Sequence, residues 1–453
     1  MQSLFNLLRR TTLIIVTLVI SANAYALDLE LTKGVKTKMP LTVLPFTWVG
    51  QKASPPLKIA AVVRNDLLNS GRFDLRLPKK TFKAPKALAD VDFAFWRNQK
   101  VNALLIGQLQ SQGRDQYQLH YVLVDLFRKQ DQLTPKSADL AALNPDNNPV
   151  IAKGTMTVSA TDLRKSAHII ANKVYHAMLG EPGFFLRKIA YIQKQAGAGD
   201  RAFQLVLADY DGFNANTILM GANPIMSPSF SKDGKRLAYV SFESKTPSIY
   251  IQNLKDHSRQ LIAHYPGVNG APAFSPDGKT LALALSKNGA TNLYLLNLQS
   301  KQLTQLTRDW STDTSPAFSP DGKSLAFASD RSGTLGLYQL DIATQKTTPL
   351  TNAFGLYNSD PVYTPDGEQL IFTHLVDGAY HIASLDLASQ EFHELTSGLN
   401  DQSPTISPNG YLVLYTSDSH RGITLKQTSI EGDLNHGLPV KSGSVSQPAW
   451  GMK

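Results

Sequence analysis

A repeat of about 44 residues is the feature that most constrains what this chain can fold into. The stretch PAFSPDGK occurs twice, and related stretches recur at a fixed spacing. Aligned on the first proline, the copies begin at Pro228, Pro272, Pro316, Pro361, Pro404 and Pro448. The intervals are 44, 44, 45, 43 and 44 residues. A period in this range predicts a repeat architecture in which each copy is one supersecondary unit.

Each repeat has the pattern of two β-hairpins. A short apolar stretch leads into Pro-Asp-Gly, and an alternating apolar strand follows, as at Leu281, Leu283 and Leu285. Asp-Gly between two such runs is a strong hairpin signal and predicts a type I′ turn, with positive φ at both central residues. A second hairpin follows, for example over residues 292–307. Four strands per repeat is the period of a β-propeller blade.

The two ends of the repeat region predict how the ring closes. The stretch RKIAYIQK at Arg187–Lys194 matches the second strand of a blade, at Lys235–Phe242, but no inner strand precedes it. The copy at Pro448 is an inner strand with no blade after it. Joining the two gives six complete blades and leaves no open sheet edge. The sequence therefore predicts an all-β six-bladed β-propeller of WD40-like repeats, closed by the C-terminal strand.

Ahead of the propeller the sequence predicts a small α/β domain. Helical patterns run from Ser54-Pro55 to Gly71 and from Thr161 to Gly180, and strand patterns cover 101–110 and 117–126. Glu181-Pro182-Gly183 marks the expected boundary. The predicted organisation is thus an N-terminal α/β domain over 27–180 and a propeller over 181–453.

Residues 1–26 have the layout of a cleavable signal peptide. Arg9 and Arg10 precede an apolar run, and small residues end at Ala26. We therefore expect an exported protein without a membrane span. The chain has no Cys, which excludes disulfides and thiol chemistry. The formal net charge of +9 comes from the first third of the chain. Export, and the lack of a Lys/Arg cluster with interleaved aromatic residues, argue against a nucleic-acid partner.

The sequence offers little catalytic chemistry. No Gly-x-Ser-x-Gly, Walker A or His-Glu-x-x-His motif occurs. His374 and His381 are interpreted as ordinary strand residues, and Asp209–Gly212 as a blade turn, since the calcium ligand expected at the twelfth position is missing. The aspartates of the Pro-Asp-Gly stretches are interpreted as turn residues because Asn409 replaces one of them. No catalytic residue, cofactor site or metal site is predicted.

Small and polar residues precede each inner strand. In four successive repeats these triplets are Asn269-Gly270-Ala271, Asp313-Thr314-Ser315, Asn358-Ser359-Asp360 and Asp401-Gln402-Ser403. Propeller geometry places such loops around one mouth of the central channel. The triplets are interpreted either as a docking surface for a protein segment or as plain solvated loops.

Several stretches resemble the TolB family, and the resemblance covers nearly the whole chain after residue 26. The stretches that carry it include GVKTKMPLTVLPFTW at 34–48, LADYDGFN at 207–214 and MSPSFSKDGKRLAYVSFES at 226–244. They also include NGAPAFSPDGK at 269–279. These stretches are more distinctive than a generic propeller repeat of the PD40 kind.

The resemblance implies a monomeric, non-enzymatic scaffold of the periplasm. It would link the outer-membrane lipoprotein Pal to TolA of the inner membrane, supporting outer-membrane invagination during division and envelope integrity. The resemblance also implies a TolA-binding segment at Leu27, Asp28, Leu29, Glu30, Leu31, Thr32 and Lys33. The Pal-binding residues it implies around the propeller mouth are Asn269, Gly270, Ala271, Thr314, Ser315, Asp360 and Gln402. Val268 stands where relatives carry a His.

Two other function classes stay open at this point. A propeller of this kind could bind cell-wall fragments or sugars. It could also be an enzyme with a metal ion in its channel, in which case at least three carboxylate or imidazole groups should converge there.

Overall fold

The computed structural model describes residues 38–77, 82–127, 149–351, 354–419, 422–440 and 443–452. The predicted signal peptide and the predicted TolA-binding segment, Leu27–Lys33, lie outside the described residues. Lys38–Lys453 forms one unit, and the domain boundary at residue 180 stays a prediction. Among the residues described, no helix is both long and apolar enough to cross a membrane.

The N-terminal α/β region, residues 38–180, is a mixed sheet with two helices against it. Its elements are β1 (Met39–Val43), β2 (Thr47–Val49), α1 (Ile59–Asn69), β3 (Phe73–Leu75), α2 (Phe93–Asn98), β4 (Ala103–Gly113), β5 (Gln116–Asp125), β6 (Val150–Ser159) and α3 (Leu163–Leu179). Single 3-10 turns occur at Leu88–Asp90, at Ala160–Asp162 and, later in the chain, at Gly199–Arg201. The strand order is β3-β1-β4-β5-β6, with β2 alongside β4.

The two long helices begin later than the sequence predicted. Ser54-Pro55 does not start α1, whose N-cap is Lys58 and has no side-chain hydrogen bond. Thr161 does not cap α3 either, because a 3-10 turn over Ala160–Asp162 intervenes. The predicted end of α3 is confirmed, since Gly180 has a left-handed φ of 74°.

Residues 188–450 form six four-stranded antiparallel sheets, the blades of a propeller. The strands are β7 (Lys188–Lys194), β8 (Phe203–Asp209), β9 (Asn216–Gly221), β10 (Ile225–Phe230), β11 (Arg236–Ser241), β12 (Ser248–Asn253), β13 (Arg259–Ala263), β14 (Asn269–Phe274), β15 (Thr280–Asn288), β16 (Ala290–Asn297), β17 (Leu303–Gln305), β18 (Asp313–Phe318), β19 (Ser324–Ser329), β20 (Gly336–Asp341), β21 (Thr347–Pro349), β22 (Asn358–Tyr363), β23 (Gln369–Val376), β24 (Ala379–Asp386), β25 (Phe392–Glu394), β26 (Asp401–Ile406), β27 (Leu412–Ser417), β28 (Thr424–Ser429), β29 (His436–Gly437) and β30 (Ser444–Trp450). The predicted six-bladed propeller is confirmed.

The first blade is assembled from both ends of the repeat region, as predicted. Its order is β30-β7-β8-β9, and the other five blades take four consecutive strands each, β10–β13 through β26–β29. Strand β30 pairs antiparallel with β7, from Ser444 opposite Lys194 to Trp450 opposite Ile189. This pairing supplies the inner strand that the first blade lacks in sequence, and it closes the ring.

The Pro-Asp-Gly hairpins form, but the predicted type I′ turn is wrong. In Ser275-Pro276-Asp277-Gly278 the glycine has φ 71°, whereas Asp277 is not among the residues with positive φ. The Gly278 N–H donates to the Ser275 carbonyl at 2.8 Å. Proline second and glycine fourth are the preferences of a type I turn. Asp277 accepts from the Ser275 hydroxyl at 2.6 Å and from the Lys279 N–H at 3.0 Å, so its carboxylate is a turn cap.

The cores of the two regions merge at the closing blade. One apolar cluster contains α1 and α3 residues, including Val63 and Tyr175, together with Ile189 of β7 and Trp450 of β30. Phe184, in the connection between the regions, lies 6.1 Å from Trp450 between ring centroids. The N-terminal α/β region is therefore packed on the blade that the C-terminal strand completes.

We expect Trp450→Ala to destabilise the protein by about 3–5 kcal/mol, because Trp450 is 3% exposed and anchors β30 in this shared core. Trp310→Ala is the matched control, since Trp310 is 92% exposed and its loss should stay within about 0.5 kcal/mol. Urea unfolding of both variants measures the difference. Equal stabilities would show that β30 does not hold the ring closed.

Candidate functional site

The seven predicted mouth residues lie at the beginnings of four inner strands. They occupy β14, β18, β22 and β26, which belong to the third to sixth blades. The start of each inner strand pairs with the end of the next strand, as Asn269 does with Leu285. The loops before the inner strands therefore open on one face of the ring, which we call the loop face. The Ser-Pro-Asp-Gly turns lie on the opposite face, which we call the turn face.

A β-bulge interrupts every inner strand directly before its proline. The pairing register shifts between Gly270 and Ala273, and at the equivalent position of the five other blades. The residue before the proline has a φ of 46–55° in each blade: Ser227, Ala271, Ser315, Asp360, Ser403 and Gln447. An L-residue in this region costs roughly 1–2 kcal/mol. The sequence carried a signal for it, because proline inside a sheet is confined to edges and bulges.

The bulges connect neighbouring blades around the channel. The Ser315 hydroxyl donates to Oδ1 of Asp360 at 3.1 Å, joining the fourth blade to the fifth. The Ser227 N–H donates to Oε1 of Gln447 at 2.9 Å, joining the second blade to the first across the closure. The Ser403 N–H donates to the hydroxyl of Thr373 in the neighbouring blade at 3.1 Å. The strained residues are thus the places where the blades contact each other through polar groups.

The first residue of each triplet supports the mouth from inside. Asn269 is 1% exposed, and its side-chain amide donates to the Tyr265 carbonyl at 2.6 Å and accepts from the Tyr265 N–H at 2.9 Å. Asn358 bonds the Phe354 carbonyl and His374 in a similar way. Asp313 is buried and pairs with Arg331 at 2.9 Å. The Asn269 side chain is therefore a loop support and is not presented to a partner, contrary to the prediction from the resemblance.

The other predicted residues lie at the loop-face mouth and are half-buried: Gly270, Ala271, Thr314, Ser315, Asp360 and Gln402. The Gln402 amide donates to Oδ1 of Asn400 at 2.7 Å. Asp360 accepts from the hydroxyls of Ser315 and Ser359, at 3.1 and 3.3 Å. Burial raises the pKa of the Asp360 carboxyl, and the bonds from these hydroxyls only partly offset it.

Apolar side chains crown this polar mouth, and the sequence analysis missed them. Four loops that precede inner strands each expose a large apolar residue: Val268 (45%), Trp310 (92%), Leu356 (73%) and Leu399 (64%). We call these four residues the apolar rim. Exposed aromatic and aliphatic groups around a polar centre are typical of protein-binding surfaces. A pattern search could have found them, because each stands one to three residues before the start of an inner strand.

Two cavities open near the channel. One, of about 430 Å³, is lined on the loop-face side by residues of the sixth, first and second blades, including Met226, Gln402 and Gln447. The other, of about 780 Å³, lies at the turn face and is lined by the six inner-strand prolines and by Phe274, Trp450 and other side chains. Gln402 is the predicted mouth residue that lines a cavity, the smaller one.

The histidines and aspartates considered as ligands have structural partners. His374 and His381 stand opposite each other on β23 and β24, and they bond Asn358 at 2.9 Å and Glu394 at 3.2 Å, respectively. Asp209–Gly212 forms the predicted turn, in which the Gly212 N–H donates to the Asp209 carbonyl at 2.9 Å. One grouping went unforeseen: Asp211 lies close to Asp66 and His168, below the first blade.

The chain is similar to a set of proteins that share one description. A family model described as TolB amino-terminal domain matches residues 27–132, and one described as TolB beta propeller domain matches residues 175–453. The Tol-Pal system protein TolB of Coxiella burnetii is 39% identical over 248 residues, which are 54% of this chain and 53% of that protein. The namesake from Hydrogenovibrio crunogenus is 36% identical over 55% of this chain and 54% of its own length. These matches thus span about half the length of the relatives.

A solved structure extends the similarity over most of the chain. The crystal structure of TolB from Acinetobacter baumannii matches with a TM-score of 0.78 and 30% identity. The match covers 91% of this chain and 98% of that one.

We expect Ala271→Gly to leave the protein equally stable or to stabilise it by up to about 1 kcal/mol, because glycine removes the steric cost of a positive φ. Ala273→Gly is the matched control on the same strand, where φ is not positive. It should destabilise by about 0.5–1 kcal/mol. Thermal unfolding distinguishes the two, and a loss of stability in Ala271→Gly would contradict the strain at the bulge.

Proposed function

Because the chain belongs to the TolB family, we propose that it acts in the Tol–Pal system as a periplasmic, protein-binding scaffold. In this role it would link the outer-membrane lipoprotein Pal to TolA of the inner membrane, and so support outer-membrane invagination and envelope integrity. The observation that carries the proposal is the loop face, where the apolar rim surrounds half-buried polar residues at the mouth.

A Pal-type lipoprotein would dock on the loop face. The rim residues Trp310, Leu356 and Leu399 are each more than half exposed, so burying them against a partner would release water from a large apolar area. Gly270, Ala271, Thr314, Ser315, Asp360 and Gln402 would supply the polar centre, and Asn269 would hold its loop in place from below. Since the bulges fix the backbone of the mouth, a partner would meet a preorganised surface.

TolA would bind the segment Leu27–Lys33. This part of the proposal rests on the family resemblance and on the segment's sequence. Leu27, Leu29 and Leu31 alternate with Asp28 and Glu30, a period-two pattern that could add as a strand to a partner's sheet. Pal and TolA would then influence each other through this chain, and such coupling has to be reciprocal.

The scaffold is proposed to have no catalytic activity. Cell-wall fragments or sugars are the milder alternative ligands, and the cavity of about 430 Å³ beside Gln402 is where they would bind. The size and apolar character of the rim favour a protein partner over a sugar.

We expect Trp310→Ala and Leu356→Ala each to weaken the binding of a purified Pal homologue by at least about tenfold, the loss expected when an interface anchor is removed. Leu261→Ala is the matched control, because Leu261 is 50% exposed but lies on the outer strand β13. Isothermal titration calorimetry gives the affinities. Equal affinities for the rim and control variants would place the partner elsewhere, and binding of peptidoglycan fragments instead of Pal would support the alternative.

We expect deletion of Leu27–Lys33 to abolish binding of the periplasmic part of TolA and to change the affinity for Pal. The deletion removes the proposed TolA site directly, and the Pal effect would report the coupling between the two sites. Pull-down with TolA and calorimetry with Pal measure the two effects separately. An unchanged Pal affinity would mean that the two sites are independent.

A further inference from the structure

A buried polar cluster joins the N-terminal α/β region to the first blade. Asp66 comes from α1, His168 from α3, and Tyr210 and Asp211 from the turn that follows β8. None of the four side chains belongs to the proposed binding face, and all are buried, with Asp66 at 0% and His168 at 2% exposure. Buried ionisable groups are costly unless they are paired, so their arrangement requires an explanation.

Both oxygens of the Asp66 carboxylate are used within the cluster. Nδ1 of His168 lies 2.7 Å from Oδ2, and the hydroxyl of Tyr210 donates to Oδ1 at 2.7 Å. Burial and the nearby carboxylates keep the pKa of Tyr210 well above its ordinary value, so the phenol stays a neutral donor. Asp211 accepts from Nη2 of Arg164, whose guanidinium lies over the ring of Phe213.

The remaining nitrogen of His168 is the anomaly. Nε2 is buried without a hydrogen-bond partner, and Oδ2 of Asp211 lies 3.9 Å away. In a neutral ring that donates from Nδ1 to Asp66, Nε2 would turn a lone pair toward a carboxylate. A proton on Nε2 changes this repulsion into attraction and balances two carboxylates with two cations, His168 and Arg164.

A proton fits this position better than a metal ion. Asp66 has no free oxygen, and Asp211 is already paired with Arg164. One imidazole nitrogen and one shared carboxylate are fewer than the three or four protein ligands of a zinc site. The other titratable group near the cluster is His436 of β29, whose Nε2 lies 3.2 Å from the Asn69 amide.

We propose that a proton held between Asp66, His168 and Asp211 fastens the helices α1 and α3 to the first blade, so that this attachment tightens as the pH falls. We call the three residues the proton latch. The proposal goes beyond the binding function and does not depend on either partner. It assigns the latch to the contact between the two regions and makes that contact responsive to pH.

The direction of the pH effect follows from the groups involved. Burial raises the pKa of Asp66 above its unfolded value, so its contribution to stability is present at low pH and is lost as the pH rises through the raised pKa. An imidazolium between two carboxylates acts in the same direction. His436 acts in the opposite direction, because burial lowers its pKa and it loses stability as the pH falls. A comparison of variants at position 168 cancels the effect of His436.

The test compares the full chain with His168→Asn, which keeps a side-chain donor near Asp66 but takes up no proton. Urea unfolding from pH 5 to 8 should show that the wild-type folding equilibrium weakens with rising pH, by at most about tenfold per pH unit for one linked proton. This slope should be lost in His168→Asn and kept in the control His120→Asn, because His120 bonds Thr155 on the exposed sheet surface. Parallel pH dependence in all three proteins would overturn the proposal.

Two further measurements keep the result unambiguous. Nitrogen-15 NMR of the imidazole should show both nitrogens of His168 protonated in the folded protein at pH 6, and an unprotonated Nε2 would refute the latch. Should His168→Asn fail to fold, Asp211→Asn tests the same loss of slope, since its amide oxygen can still accept from Arg164. Zinc-dependent stabilisation that EDTA reverses and Asp211→Asn abolishes would assign the cluster to a metal ion and overturn the proton assignment.

Discussion

The pairing of β30 with β7 is the interaction on which the rest of the structure depends. A propeller blade needs an inner strand, and the first blade obtains its own from the other end of the chain. The same strand carries Trp450, which is buried in the cluster that also holds α1 and α3. Closing the ring and seating the N-terminal α/β region are therefore one packing problem, solved by one blade. Without β30, a sheet edge would open directly beside the interface between the two regions.

The bulges show how the repeat provides a shaped mouth. Each inner strand has to pass a proline, which cannot donate to the sheet, and the residue before it takes a left-handed φ. The cost recurs in every blade, roughly 1–2 kcal/mol for each non-glycine residue. It is offset by the bonds that the bulges make between blades, such as Ser315 to Asp360 and Ser227 to Gln447. Local strain at a mouth that is otherwise rigid is typical of functional surfaces.

The sequence predicted what is local and repeated. The blade count, the closing strand and the turn positions followed from the spacing of the prolines, because each hairpin is encoded within a few residues. The turn type was wrong because Asp-Gly alone favours a type I′ turn, whereas the preceding proline and the Ser–Asp capping bond select type I. The apolar rim was overlooked because its members vary in type and in offset from the inner strands.

The proton latch could not have been read from the sequence. Asp66, His168 and Asp211 are separated by about a hundred residues and by some forty residues, and each sits in a different element. Nothing in their local patterns predicts that they meet. Even the stretch around Asp211, which was considered as a calcium loop, pointed to the turn and not to the helices packed beneath it. Contacts of this kind arise only once the two regions have been packed together.

One strand links the two ends of the molecule that matter most. Strand β30 carries Gln447, which lines the loop-face cavity and holds Ser227 of the next blade, and it ends at Trp450, which packs near Phe184 below the N-terminal α/β region. Strand β7, its partner, continues into β8 and the turn that bears Asp211. A partner that shifts the inner strands at the loop face would therefore bear on the same blade that the latch holds. Binding at the mouth and proton uptake at the latch would then be linked, and linkage requires each to change the other by the same factor.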